Sequence, residues 1–254
     1  MPDGALGATY LRCEYLVDPL GIDEPRPRLS WVVEGQGRGR RQTAYRVLVA
    51  GSEEKLAADE GDLWDSGKVP CGETVHIEYG GRRLRSRLRC WWKVRLWDER
   101  GRASPWSQPA SWSMGLLSAA DWQGVWIGYD RPAVETAARR GDWRAMRPKR
   151  PGRRHPLVLP PARYLRRQLV LAKPLRRATL YAAALGLYEL RINGRRVGDD
   201  WFTPGCTDYD RRIHYQTYDV TGLLGEGTNA IGAILADGWY AGYMGWFGDR
   251  EVYG

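Results

Sequence analysis

Cysteine is scarce and scattered in this chain. Cys13, Cys71, Cys90 and Cys206 stand far apart, with no C-x-x-C pair and no histidine cluster beside them. That excludes zinc fingers, iron–sulfur sites and thioredoxin-like redox motifs. A dense disulfide framework is excluded by the length of 254 residues, and the four read as free, mostly buried thiols. Long apolar runs are missing too, since no stretch approaches the roughly 18 residues that a membrane helix needs. The opening Met1-Pro2-Asp3-Gly4-Ala5 has neither a basic nor an apolar leader region, so no secretory signal is visible and a cytoplasmic location is expected. There is no P-loop, G-x-G-x-x-G, H-E-x-x-H or G-x-S-x-G sequence. His76, His155 and His214 have no evident triad partners. Phe and Lys are also rare: two Phe against 13 Trp and 14 Tyr, and five Lys against 34 Arg.

What is present is a globular composition, 43% hydrophobic and 27% charged, long enough for two ordinary β domains. The net charge of +9 invites a nucleic-acid reading, so its location matters. Between Asp130 and Arg154, nine basic residues stand against three acidic ones, which accounts for six of the nine excess charges. This Ala-, Gly- and Pro-rich segment reads as a solvated insert or linker spanning 130–158. The rest of the chain is nearly balanced and carries no nucleic-acid-binding pattern, so neither a nucleic acid nor a membrane is expected as a partner.

Short alternating runs separated by Gly, Pro and Asp dominate, the pattern of all-β sandwiches. Residues 29–33, 44–50, 74–79, 89–97 and 110–114 read as strands of a first module, with one or two helical turns over 52–60. Within 89–97, Cys90, Trp92, Val94 and Leu96 point one way, while Arg89, Trp91, Lys93, Arg95 and Trp97 point the other. The second set reads as a structural Trp/Arg stack on a sheet face. A second module opens near Trp122–Ile127 and continues after the insert with strands at 166–171, 177–183, 187–192, 213–218 and 229–235. Asn193-Gly194 between two alternating runs marks a type I′ hairpin. Asp219 to Leu224 reads as a capped single turn.

The ordered motifs resemble a known family. The first module carries Asp18-Pro19-Leu20-Gly21-Ile22-Asp23, Pro27-Arg28-Leu29-Ser30-Trp31, Leu63-Trp64-Asp65-Ser66-Gly67 and Trp112-Ser113-Met114-Gly115. The second carries Ile192-Asn193-Gly194, Pro204-Gly205-Cys206-Thr207-Asp208-Tyr209, Tyr215-Gln216-Thr217-Tyr218-Asp219-Val220-Thr221 and Asp237-Gly238-Trp239-Tyr240. Together they resemble the N-terminal, non-catalytic region of bacterial α-L-rhamnosidases. The resemblance implies a fibronectin-III-like sandwich over 1–117 and a jelly-roll-like sandwich over 118–254, incomplete at its C-terminus. It also implies inverting hydrolysis of terminal α-L-rhamnosides by an acidic pair in an (α/α)6 barrel that these residues do not include. On that reading the chain is a scaffold, inactive alone, whose partners are the missing barrel and, through the full-length enzyme, rhamnose-containing glycosides. The alternative is a free-standing lectin-like module that binds rhamnose.

Inverting hydrolysis needs two carboxyl groups roughly 6.5–9.5 Å apart. The pairs Asp199-Asp200 and Asp208/Asp210 read instead as turn and capping residues, so no catalytic residue is assigned. Sugar binding asks for an aromatic platform beside carboxylates and amides. Asp237, Trp239, Tyr240 and Trp246, in a Gly-rich stretch after an apolar strand, have that chemistry. Packing against the missing barrel would use the same rings. Some family members carry a jelly-roll module that binds rhamnose through calcium. Asn193, Asp199 and Asp200 offer oxygen ligands suited to calcium, but no D-x-[DN]-x-[DN]-G loop is present, so calcium stays an open cofactor.

Overall fold

The computed structural model describes residues 6–128 and 161–243. The Arg-rich insert lies outside the described residues, apart from the ends of its surroundings, and so does Trp246. The fold is all-β, with antiparallel sheets and little helix. The chain divides into two compact units, residues 1–124 and 125–254.

Among the described residues the first unit is a sandwich of seven strands. One sheet joins β1 (Gly7–Cys13), β2 (Arg28–Glu34) and β5 (Ile77–Glu78) in the order β1-β2-β5. The other joins β3 (Ala44–Ala50), β4 (Trp64–Asp65), β6 (Arg89–Trp97) and β7 (Ala110–Ser113) in the order β4-β3-β6-β7. This division of seven strands between two packed sheets is the architecture of immunoglobulin-like and fibronectin-III domains. The period-2 alternation of β3 and β6 sends Tyr45, Val47 and Val49, and Cys90, Trp92, Val94 and Leu96, into one core with Leu29, Trp31 and Trp112. The rings meet edge to face, Trp31 with Tyr45 at 5.3 Å and Trp64 with Tyr79 at 5.4 Å between centroids.

Strand β3 is buried on both faces. Its outward Leu48 and Ala50 are covered by Leu56 of α1 (Glu53–Ala57). Ser52 starts this short helix by accepting a hydrogen bond from the Lys55 N–H. Cys13 and Cys90 are buried free thiols, Cys71 is half-buried and Cys206 is exposed. The expectation of mostly buried thiols therefore holds only for the first two, and burial pushes Cys90 up to about 12.

The second unit pairs β8 (Arg163–Leu171), β10 (Leu187–Ile192), β11 (Arg195–Arg196) and β13 (Gly227–Ala236) in the order β11-β10-β13-β8. A two-stranded sheet of β9 (Thr179–Ala182) and β12 (Gln216–Asp219) packs against it. A single 3-10 turn, Thr221–Leu223, precedes β13, with the Asp219 carboxylate accepting from the Thr221 N–H. Among the described residues, Ile192, Val197, Tyr218 and Val220 form the buried centre of this unit's core. The cross-strand register puts Leu165 beside Ala233 and Leu169 beside Asn229. These two leucines share the core-side face of the sheet and stay partly open to water. Residues 122–128, expected to open this module, form no strand, and Val125, Trp126 and Ile127 are exposed.

Buried indoles need partners, and Gln42 supplies one at the sandwich core. Its Oε1 accepts from Trp31 Nε1 at 2.9 Å, while its Nε2 donates to the carbonyls of Cys71 and Glu73 at 3.1 and 2.8 Å. Gln42→Leu keeps the volume but strands one buried N–H and two carbonyls. It is expected to lower the unfolding free energy of this unit by about 2–4 kcal/mol, read from urea unfolding followed by circular dichroism.

Candidate functional site

The outward face of β6 carries the stack that the alternation predicts, completed by a residue from a distant loop. The Arg89 guanidinium lies 5.0 Å from the Trp91 ring centroid, and Lys68 lies 4.8 Å from Trp97. Arg95, Lys93 and Arg46 gather around Trp106 at 4.4, 5.0 and 5.9 Å. Lys93 is almost wholly buried and donates to the Leu56 carbonyl at 2.6 Å and to Asp59, which also accepts from Trp106 Nε1 at 3.2 Å. These cations are spent on aromatic rings, carboxylates and backbone carbonyls. The face is a structural clamp that fastens α1 and the Trp106 loop to the sheet.

In the second unit, Asn193 and Gly194 both take left-handed φ, +51° and +83°, as the expected type I′ turn requires. The Asn193 side chain is committed to the fold. Its Nδ2 donates to the Leu223 carbonyl at 3.0 Å and to Asn229 Oδ1 at 2.8 Å, and its Oδ1 accepts from the Ala230 N–H at 2.9 Å. Asn229, itself buried, closes the knot by bonding the backbone of Gly225 and Gly227. Asp199 is exposed and makes no ion pair or side-chain hydrogen bond among the described residues. Asp200 interacts with the phenol of Tyr218, which burial already raises above its ordinary value. The structure thus commits Asn193 to the fold, sets Asp200 by the Tyr218 phenol and leaves Asp199 in water. Among the described residues, no group of three or more His, Cys, Asp or Glu is placed to hold a metal ion. Asp208 belongs to a turn in which its carbonyl accepts from the N–H groups of Arg211 and Arg212.

The aromatic residues of the Gly-rich stretch do come together with other rings. Trp239 and Tyr240 sit in α2 (Gly238–Ala241), directly after β13 and the sequence-predicted Asp237. The Trp239 ring meets Phe202 at 6.2 Å and Tyr240 meets the buried Tyr209 at 5.4 Å, both edge to face. Gly238 makes this turn with φ +53°, and a Cβ there would lie 2.6 Å from Leu187. Below them, Tyr188 donates to Gln216 Oε1 at 2.7 Å and lies 3.1 Å from the Tyr218 oxygen. Gln216 reaches the Pro204 carbonyl at 3.1 Å, fixing the loop that follows the cis Thr203–Pro204 bond.

Sequence reasoning missed Trp201 and Phe202, which stand 73% and 67% exposed on that loop. The signal was two adjacent aromatics directly after Asp199-Asp200, in a stretch with no alternation to bury them.

Two outcomes follow from this geometry. The hydrogen bond from Lys93 holds the Asp59 carboxyl below its usual range, so the pair stabilises the fold above about pH 4 and loses that contribution as pH falls through the depressed value. Asp59→Asn tolerates the left-handed backbone there. It is expected to cost about 1–2 kcal/mol at neutral pH, the modest end for a buried cation because Asp59 is half exposed, and the difference should vanish in acid denaturation below that range. Asn193→Gly keeps the turn but deletes its three hydrogen bonds, and should lower the second unit's stability by about 1–3 kcal/mol. Millimolar calcium or a chelator is expected to leave the thermal midpoint of either form unmoved.

Comparison with known proteins agrees with this architecture. Residues 8–118 match the model of the Rha78A-like, N-terminal immunoglobulin domain, and residues 173–254 match that of the α-L-rhamnosidase N-terminal domain. An α-L-rhamnosidase of Formosa agariphila is 34% identical over 92% of this chain and 24% of its own length. One from an Alteromonas species is 36% identical over 90% of this chain and 23% of its own. Among solved structures, the α-L-rhamnosidase of Dictyoglumus thermophilum superposes with a TM-score of 0.80 at 35% identity, covering 92% of this chain and 25% of that one. The Streptomyces avermitilis α-L-rhamnosidase complexed with L-rhamnose superposes with a TM-score of 0.82 at 29% identity, covering 98% and 38%. The chain therefore spans between about a quarter and two fifths of the relatives it matches. Two successive β units, each matched by its own domain model and in the same order, make these residues the N-terminal accessory region of the α-L-rhamnosidase family.

Proposed function

We propose that this chain belongs to a protein that hydrolyses terminal α-L-rhamnosides, and that it serves there as a β scaffold whose aromatic end helps wall the sugar site. Identity of 34% and above over nine tenths of the chain to α-L-rhamnosidases carries the first part. The grouping of Trp239, Tyr240, Phe202 and Tyr209 beside Asp237 supports the second. Sugars present C–H faces and hydroxyl rims, and half-exposed indoles and phenols next to a carboxylate match both. Trp246, outside the described residues, adds to the same aromatic stretch in sequence.

The chain spans only part of its relatives' length, and on this reading bond cleavage is left to the remainder of the protein. The isolated 254-residue chain is expected to release nothing from an aryl α-L-rhamnoside, while the longer polypeptide containing it turns over. In that polypeptide Trp239→Ala should raise KM about tenfold with kcat little changed, the signature of lost uniform binding. Turnover by the isolated chain that disappears on mutating one of its own aspartates would overturn the scaffold assignment. Unchanged KM in the Trp239 variant would remove that ring from the sugar site.

A further inference from the structure

The hairpin of β10 and β11 returns through Val197 into Gly198, whose φ of +68° is required by space: a Cβ there would lie 2.4 Å from the Tyr218 ring. That bend turns the next four residues outward. Phe202 follows in a left-handed conformation, φ +57°, costly for a bulky side chain. The outcome is an indole, Trp201, displayed in water beside an exposed phenyl.

Trp201 is not loose. The Arg196 guanidinium lies 4.2 Å from its ring centroid and is itself anchored by donating to the Asp200 carbonyl, with Glu189 3.6 Å from its Nε. One face of the indole is therefore backed by a fixed cation, and most of the ring remains open. Asp199, next but one in sequence, has an exposed carboxylate with no partner among the described residues. Phe202 links this platform to Trp239.

We infer that Trp201, backed by Arg196 and rimmed by Asp199, is a saccharide-stacking platform for a 6-deoxypyranoside of the rhamnose type. The inference rests on the rhamnoside reading above and extends it to residues that reading does not use. An open indole suits a sugar face of C–H groups, and a methyl at C6 enlarges that apolar face, while the Asp199 carboxylate accepts from ring hydroxyls. A purely apolar partner would instead bury Asp199 and the Arg196 cation without hydrogen bonds, at a cost that a hydroxyl-rich ligand avoids.

The test is titration of the 254-residue chain with L-rhamnose, followed by tryptophan fluorescence and calorimetry. Saturable millimolar binding is expected, weakened about tenfold by Trp201→Ala and unaffected by Trp126→Ala. L-mannose, which carries a hydroxymethyl group where rhamnose has its methyl, should bind several-fold more weakly. If Trp201→Ala fails to fold by circular dichroism, Asp199→Asn serves in its place with a several-fold loss expected. No saturable binding, or binding indifferent to the folded variant used, overturns the platform. Should the longer polypeptide hydrolyse rhamnosides while those variants leave binding intact, this inference falls and the rhamnosidase reading stands. Should rhamnose bind through Trp201 in a protein without rhamnosidase activity, the reverse holds.

Discussion

Strand β6 must satisfy two opposite surfaces at once, and the first unit is organised around that demand. Its even-numbered side chains, from Cys90 to Leu96, close the sandwich core. The odd ones carry three cations that could not be buried unpaired. The chain meets this by bringing Trp106 and Asp59 from two separate loops onto the outer face, so that Lys93 gains a carboxylate and a backbone carbonyl while Arg95 gains a π face. That arrangement also decides where α1 lies, because the same carbonyl belongs to Leu56, whose side chain seals Leu48 and Ala50. A helix of five residues has little stability of its own. Here it is retained by what it covers and by the ammonium it caps.

Two hydrogen-bonded nodes tie the described strands of the second unit together. The Asn193–Asn229 pair ties the hairpin, the turn before β13 and the first residues of β13 into one node. A second node, Tyr188 with Tyr218 and Gln216, joins the two sheets and reaches the loop that carries Thr203 and Pro204. Burial raises both phenols, so they remain neutral hydrogen-bonding groups.

Features set by local sequence were legible and those set by distant contacts were not. Asn193-Gly194 announced its hairpin because φ > 0 at two successive residues is a local requirement. The two faces of β6 were readable because strand periodicity is local as well. Strand β1 went unread: its register shifts between Thr9 and Arg12, with Tyr10 in a left-handed conformation, so the alternation is broken inside the strand. Trp106 could not be joined to the stack from sequence because it comes from another loop. The aromatic residues after β13 were singled out by chemistry, but Phe202 and Tyr209, which hold two of them, lie 37 and 31 residues earlier. Asn193 was offered for calcium on its oxygen alone, and only the structure shows that oxygen receiving the Ala230 N–H.

These nodes bear on the aromatic end through the backbone. The residues between the hairpin and the cis peptide have two anchors, Val197 bonded to the Leu190 carbonyl and Thr203 exchanging hydrogen bonds with Tyr188. Between them the chain has only five residues in which to turn, starting at Gly198, whose left-handed φ sits where a Cβ would meet the Tyr218 ring. Trp201 and Phe202 are therefore held out by a short closed loop with fixed ends. An exposed indole that is merely unburied would sample many rotamers and lose that freedom on binding. The contact with Arg196 favours one ring orientation, which lowers the cost of ordering the ring in any complex. Stability alone favours turning apolar rings inward, so on the platform proposed above the outward display of Trp201 and Phe202 is what a ligand would use.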